Sequence, residues 1–222
     1  MIIGSVGRIV GSALTVVATS AVMLAPTATA APPGAPPIAQ ARAQGVGATV
    51  TVSGTITTPP GAFESSFFDV GFAVEDRTAG IYISAAERST LGIGTAVTVT
   101  GTLADQSGLL VVKPTAITPI GPADPVAPRH VVTRVIGEST ESSLVTTVGR
   151  VTSPVLDDLP FGRKFTIADQ SGETTVYINT QTGIDTSAVR VGSVVQVTGM
   201  SSQYEDHYEI DARFPADLVV QT

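Results

Sequence analysis

The sequence predicts an all-β protein made of two small barrels in tandem behind an export leader, and three observations carry that prediction. Thr and Val together supply about sixty of the 222 residues, a composition suited to pleated, half-buried surface. Gly (22) and Pro (15) punctuate short runs of alternating polarity, as many short strands joined by turns require. Three blocks of sequence return in the same order about 95 residues later. At roughly 100–200 residues per domain, the length leaves room for one large β domain or two small ones, and excludes a large multidomain enzyme.

Charge and cysteine content narrow the class. Charged residues are 14% of the chain, below the ~25% usual for soluble domains. The net charge of −7 provides no global basic field to attract nucleic acid or anionic lipid. With no Cys, the chain has no disulfide, thiolate nucleophile, Cys-based zinc site or lipid-modified cysteine.

The elements follow in chain order. Residues 1–30 read as a secretory signal peptide: Arg8, an apolar small-residue run from Ile9 to Ala25, then Pro26 and an A-x-A site with Ala28 and Ala30 at the −3 and −1 positions. Cleavage is expected near Ala30, giving a secreted or extracellular protein. An uncleaved anchor is the alternative, but the run is broken by Gly11, Ser12, Thr15, Thr19 and Ser20 and falls short of the ~20 apolar residues of a membrane span. No stable membrane anchor is therefore expected. Residues 31–37, APPGAPP, form a stiff Pro-rich spacer.

The repeat sets the domains. TVSGTITTP (Thr51 to Pro59) returns as TVGRVTSP (Thr147 to Pro154), matching Gly54 with Gly149. GFAVEDRTAGIYI returns as KFTIADQSGETTVYI, matching Phe72 with Phe165, Asp76 with Asp169 and Tyr82 with Tyr177. LGIGTAVTVTG returns as VRVGSVVQVTG, matching Gly101 with Gly199. Residues 38–119 and 129–222 are thus two homologous domains, joined by a Pro-rich linker at 120–128.

Each domain reads as five strands: Val50–Thr57, Gly71–Glu75, Gly80–Ser84, Ala96–Leu103 and Leu109–Val112, then Leu144–Thr152, Lys164–Ala168, Thr174–Asn179, Val194–Ser201 and Tyr208–Ala212. The segments 85–92 and 181–191, between strands 3 and 4, have room for one short helix. Five strands with a short α element at that point are the plan of the OB fold, a partly open Greek-key barrel. Gly54 and Gly149 suit the bend that lets strand 1 serve both sheets. An SH3-like barrel is the competing fold.

The blocks TVSGTITTP, GFAVEDRTAGIYIS, LGIGTAVTVTGTL and GLLVVKPTAIT carry a resemblance. The first domain resembles, over nearly its whole length, the OB-fold domains of bacterial extracellular, sugar-nonspecific nucleases and related exported DNA-binding proteins. The second is similar in the same blocks but departs at Val155–Lys164 and Met200–Ala212. The resemblance implies an OB barrel, export and nucleic-acid binding. It does not imply nuclease activity, because that chemistry lies in a separate downstream domain of the family and the sequence to Thr222 shows none.

Residues with catalytic spacing are absent. His130 and His207 stand in no metal-ligand pattern, and the acidic pairs Asp157-Asp158 and Glu75-Asp76 read as turn residues. Around His207, QYEDHYEID offers Glu205, Asp206, Glu209 and Asp211 as oxygen donors to a hard cation, against a solvated hairpin as the plainer reading. No G-x-S-x-G, phosphate loop or dinucleotide fingerprint occurs, so no enzyme activity, catalytic residue, metal or cofactor is predicted.

Binding remains. OB folds receive ligands on the strand 2–3 face and on the loops joining strands 1–2 and 4–5. Alternation turns Phe72, Val74, Ile81 and Ile83 inward and Tyr82 outward; in the second domain it turns Phe165, Ile167, Val176 and Ile178 inward and Lys164 and Tyr177 outward. Tyr82 and Tyr177 either stack a base or sugar ring or simply cover the barrel. The 1–2 loops add Phe63, Phe67 and Phe68, and in the second domain PFGRK with Phe161, Arg163 and Lys164. With Arg150 and Arg77 nearby, the candidate nucleic-acid contacts are Tyr82, Tyr177, Phe161, Arg163, Lys164, Arg150 and Arg77. Yet residues 39–120 carry four basic against six acidic groups and 121–222 seven against thirteen, so any such binding is expected to be weak and salt-sensitive. The expectation is a secreted, non-enzymatic tandem OB-fold protein that binds single-stranded DNA weakly. The alternative is an interaction module for an envelope protein or a glycan, or an accessory subunit of a separate exported enzyme.

Overall fold

A computed structural model gives the fold of residues 34–63 and 69–221 and the position of Met1. The expected leader, the start of the spacer, and Phe67 and Phe68 lie outside the described residues. After α1 (Ile38–Arg42) come β1 (Thr49–Ile56), β2 (Phe72–Glu75), β3 (Gly80–Ile83), β4 (Thr95–Gln106) and β5 (Leu109–Pro122). These close a barrel in the order β1-β2-β3-β5-β4, with β3 and β5 parallel and the other pairs antiparallel. That ring is the OB fold.

The second unit repeats it. Beyond β6 (Arg129–His130) lie β7 (Leu144–Val151), β8 (Leu156–Asp158), β9 (Gly162–Ala168), β10 (Glu173–Asn179), β11 (Val194–Tyr204), β12 (His207–Ala212) and β13 (Leu218–Gln221). The ring β7-β9-β10-β12-β11 closes through the β11–β7 pairing, again with one parallel pair, β10–β12. β6, β8 and β13, which sequence periodicity did not reveal, are additions at its edges.

Both cores follow the alternation. Phe72, Val74, Ile81 and Ile83 fill the first barrel with Val52, Val97, Val99 and Val112. Phe165, Ile167, Val176 and Ile178 fill the second with Val145, Val195, Val197 and Ile210. Gly54 stands where β1 pairs with β4 and begins to pair with β2, and a Cβ there would lie 2.6 Å from the Glu75 carbonyl oxygen. Its bareness is what lets one strand serve both sides of the ring.

The helical element is not where the sequence placed it. Residues 85–92 form bends without a helix, and the second unit has there only a 3₁₀ turn, Thr180–Thr182. Each unit instead has a helical segment before its first barrel strand: α1, and the 3₁₀ turn Thr133–Val135. The cause is the β2–β3 hairpin and its counterpart. Asp76 Oδ2 accepts from Ile38 N–H at 2.9 Å and Thr78 Oγ1 from Ala39 N–H at 3.2 Å. Asp169 Oδ2 and Ser171 Oγ accept from Thr133 and Arg134 N–H at 2.8 and 3.1 Å. What burial there is pushes the Asp169 carboxyl up, but the bonds from Ser171 and Thr133 outweigh it and hold the group well below the usual carboxylate range. A turn residue that recurs in both repeats thus proves to be a cap for a segment some forty residues away in sequence.

The barrels face each other. The outward side of β2, β3 and β5 packs Ala73, Tyr82, Leu109 and Val111, with Ala62 and Phe63, against Met200 of β11. Polar contacts seal this seam. Arg42 reaches Glu141 at 2.7 Å, Leu144 N–H donates to Glu75 Oε2 at 2.8 Å, and Arg213, itself paired with Asp217, donates to the Thr57 carbonyl at 2.8 Å.

Candidate ligand cleft between the barrels

Turning two OB ligand faces toward one another leaves a cleft of about 330 Å³ between them. This lies in the ~300–1,000 Å³ range of small-ligand sites. Tyr82 and Tyr177 both reach it, as do Phe161 and Lys164. Arg163, Arg150 and Arg77 do not: Arg163 is exposed and paired with Asp157 at 2.8 Å, Arg150 is exposed and bonds the Gly192 carbonyl, and Arg77 is exposed in the β2–β3 turn. The expected basic strip is therefore divided, and only Lys164 of its charges enters the cleft.

The two tyrosines are equivalent in their barrels and unequal in the assembly. Tyr82, read from alternation as an outward ring, points out of its own barrel but is only 3% exposed, because the second unit covers it. Its hydroxyl donates to Asp69 Oδ1 at 3.4 Å, and Asp69 also accepts from Gly71, Ala85 and Gln106. Tyr177 is half-buried and donates to Asp158 Oδ2 at 2.9 Å. Burial first, then these carboxylates, pushes both hydroxyls well up, so each stays a neutral donor. The Tyr177 ring lies against Gly162, where a Cβ would stand 2.6 Å from its Cε1. The glycine of PFGRK is a platform for that ring.

The floor is β12. Alternation along HYEIDA sends Tyr208, Ile210 and Ala212 to the core and His207, Glu209 and Asp211 to the cleft. The solvated-hairpin reading fails for Glu209 and Asp211, each 7% exposed, and holds for Asp206, whose side chain is fully exposed. The four acids so divided do not converge, and among the described residues no three His, Asp or Glu side chains group to hold a metal ion. Burial drives Asp211 up to about 7 against the bond from Ser202, and burial with the nearby Asp211 charge drives Glu209 up.

Sequence reasoning missed Asp69, Gln106, Met200 and the inward role of Glu209 and Asp211. The signal for the last two was present: the alternation of β12 beside the predicted Tyr177 strand. For Met200 no local signal exists, since it gains its place from the other barrel, and Asp69 gains its own from bonds to Gly71, Tyr82, Ala85 and Gln106, spread through the first barrel.

Fold and site together define a tandem OB-fold protein with a ligand-sized cleft between its two binding faces. No protein-family model and no curated protein matches the chain. Among solved structures it is similar to a murine DNA binding protein bound with double-stranded DNA (10% identity, TM-score 0.41, 78% of this chain and 96% of that one). It is also similar to the HINa domain of Ifi202 in complex with 20-bp double-stranded DNA (11%, TM-score 0.36, 78% and 98%). A third similar structure is the OB domain of a Methanosarcina mazei protein (9%, TM-score 0.35, 43% and 84%). Among the described residues no helix is long and apolar enough to cross a membrane.

Proposed function

We propose that the protein is an exported, non-catalytic binding protein that takes a hydroxyl-rich saccharide in the cleft between its barrels. The observation that carries this is the pairing of aromatic faces with carboxylate and amide acceptors: Tyr177 and Phe161 beside Asp158, Glu209, Asp211 and Gln203. Sugar rings offer apolar faces to aromatics and hydroxyl donors to carboxylates, and OB faces accept oligosaccharides as well as oligonucleotides. A hydrogen bond to a charged acceptor contributes about 1.5–3 kcal/mol. A phosphodiester placed about 4 Å from one of these carboxylates would instead cost on the order of 4 kcal/mol at an effective dielectric constant near 20. One lysine, Lys164, stands against the four acids of the cleft, Asp69, Asp158, Glu209 and Asp211.

Single-stranded nucleic acid is the second reading, and one observation favours it: Phe161, in the turn before β9, and Lys164, on β9, both line the cleft. The resemblance of the first domain to nuclease-associated OB domains supports the same reading.

Calorimetric titration of the full chain with neutral and modified oligosaccharides and with oligo-dT, from 20 mM to 300 mM salt, separates the two. Saccharide binding that persists with salt is expected. Binding of oligo-dT alone, falling steeply with salt, would overturn the saccharide reading.

A further inference from the structure

Resting on the saccharide reading, we infer that the ligand is an amino sugar whose protonated amine sits between Glu209 and Asp211 on the cleft floor. Glu209 is the decisive residue. Its side chain is more than nine-tenths buried, it lines the cleft, and its carboxylate accepts no hydrogen bond among the described residues; His207 Nε2 stands 3.7 Å away. Asp211, two residues along the same face, lies beside Tyr177 in the β10–β12 register. The other cleft-facing charges are Lys164 from β9, Asp158 from β8 and Asp69 from the first barrel, so one lysine stands against four acids.

Burial favours the protonated forms of Glu209 and Asp211, and a positive group seated between them is what would draw out their charged forms. A sugar hydroxyl would satisfy one lone pair without that gain. An ammonium group brings three N–H donors and a positive charge, enough to bridge both acids. The face of Tyr177 beside them favours a cation further. A divalent metal finds no third acid or His in reach. An extended basic peptide is less suited than a ring compound, because Tyr177 and Phe161 line the same cleft as the acids.

Titration of the full chain with β-1,4-linked glucosamine tetramer, its fully N-acetylated form, cellotetraose and spermidine tests the assignment. The expected result is affinity for the free-amine sugar at least tenfold above that for the other two sugars and for spermidine. Glu209→Gln should abolish this preference, cutting affinity for the free-amine tetramer at least tenfold more than affinity for the acetylated form. Equal affinity for the free and acetylated tetramers overturns the amine seat and leaves the saccharide reading standing. Spermidine binding with no sugar bound, or no binding of any sugar, overturns both. The ligand series needs no variant, so poor folding of the Glu209 substitution would not blur the outcome.

Discussion

Tyr177 gives its hydroxyl to Asp158 at 2.9 Å, and its counterpart Tyr82 gives its own to Asp69 at 3.4 Å. One duplicated position thus keeps the same local bond in both barrels while assembly assigns it two roles. The first barrel's ring is sealed into the seam, and the second barrel's ring is left facing the cleft.

The two rings should therefore respond differently to removal. Tyr82→Ala is expected to destabilise the protein by about 3–5 kcal/mol, the usual cost of deleting a buried aromatic. Tyr177→Ala should instead weaken ligand binding by roughly 1–3 kcal/mol, with Tyr177→Phe retaining most of it. Urea unfolding and calorimetric titration of the three variants check this; equal loss of stability in both alanine variants would refute the division.

Gly162→Ala tests the platform under Tyr177. The added methyl would sit 2.6 Å from the ring. Overpacking of this kind costs about 1–3 kcal/mol, and the ring must tilt to relieve it. Ligand affinity should fall along with the melting temperature, whereas Gly92→Ala, where no atom lies within 4 Å, should leave affinity unchanged.

Stability should fall as pH rises. Glu75, at the seam, is raised to about 7, mainly by burial and against the bond from Leu144 N–H, and Asp211 is raised to about 7, mainly by burial. Between their unfolded values and pH 7 the folded state holds more protons than the unfolded chain, so unfolding free energy declines over roughly pH 4–7. Melting temperature is expected to be higher at pH 5 than at pH 8, and Glu75→Gln should flatten part of that slope while keeping an oxygen to accept from Leu144. A melting temperature that climbs across this range would contradict the assignment.

Arg42→Ala should uncouple the barrels. Arg42 pairs with Glu141, whose side chain is 1% exposed and which also accepts from Leu110 N–H. Removing the guanidinium strands a buried carboxylate already pushed up by burial, at a cost of about 3–5 kcal/mol. Denaturant unfolding of the variant should shift its midpoint down, and Glu141→Gln should restore part of the loss.

Much of the fold was legible because it is local. Phe72, Val74, Ile81 and Ile83 alternate in the sequence and alternate in the barrel, and the period of about 95 residues announced the second copy. The short helix was misplaced because its cause is not local: Asp76 and Asp169 reach back across the chain to cap segments before their barrels. Of the predicted contacts, Tyr82, Tyr177, Phe161 and Lys164 come together at the cleft, whereas Arg163, Arg150 and Arg77 were grouped by composition and diverge in space.

The sequence by itself determined two OB barrels, their inner faces and the outward direction of each tyrosine, since strand pleating makes side-chain direction a matter of counting. Only the tertiary structure decided that the two outward faces meet, that Tyr82 is buried and Tyr177 open, and that Glu209 and Asp211 become the floor of a cleft. Those outcomes depend on contacts such as Arg42 to Glu141 and Met200 against Tyr82, which join residues about a hundred positions apart and leave no periodic trace in either segment alone.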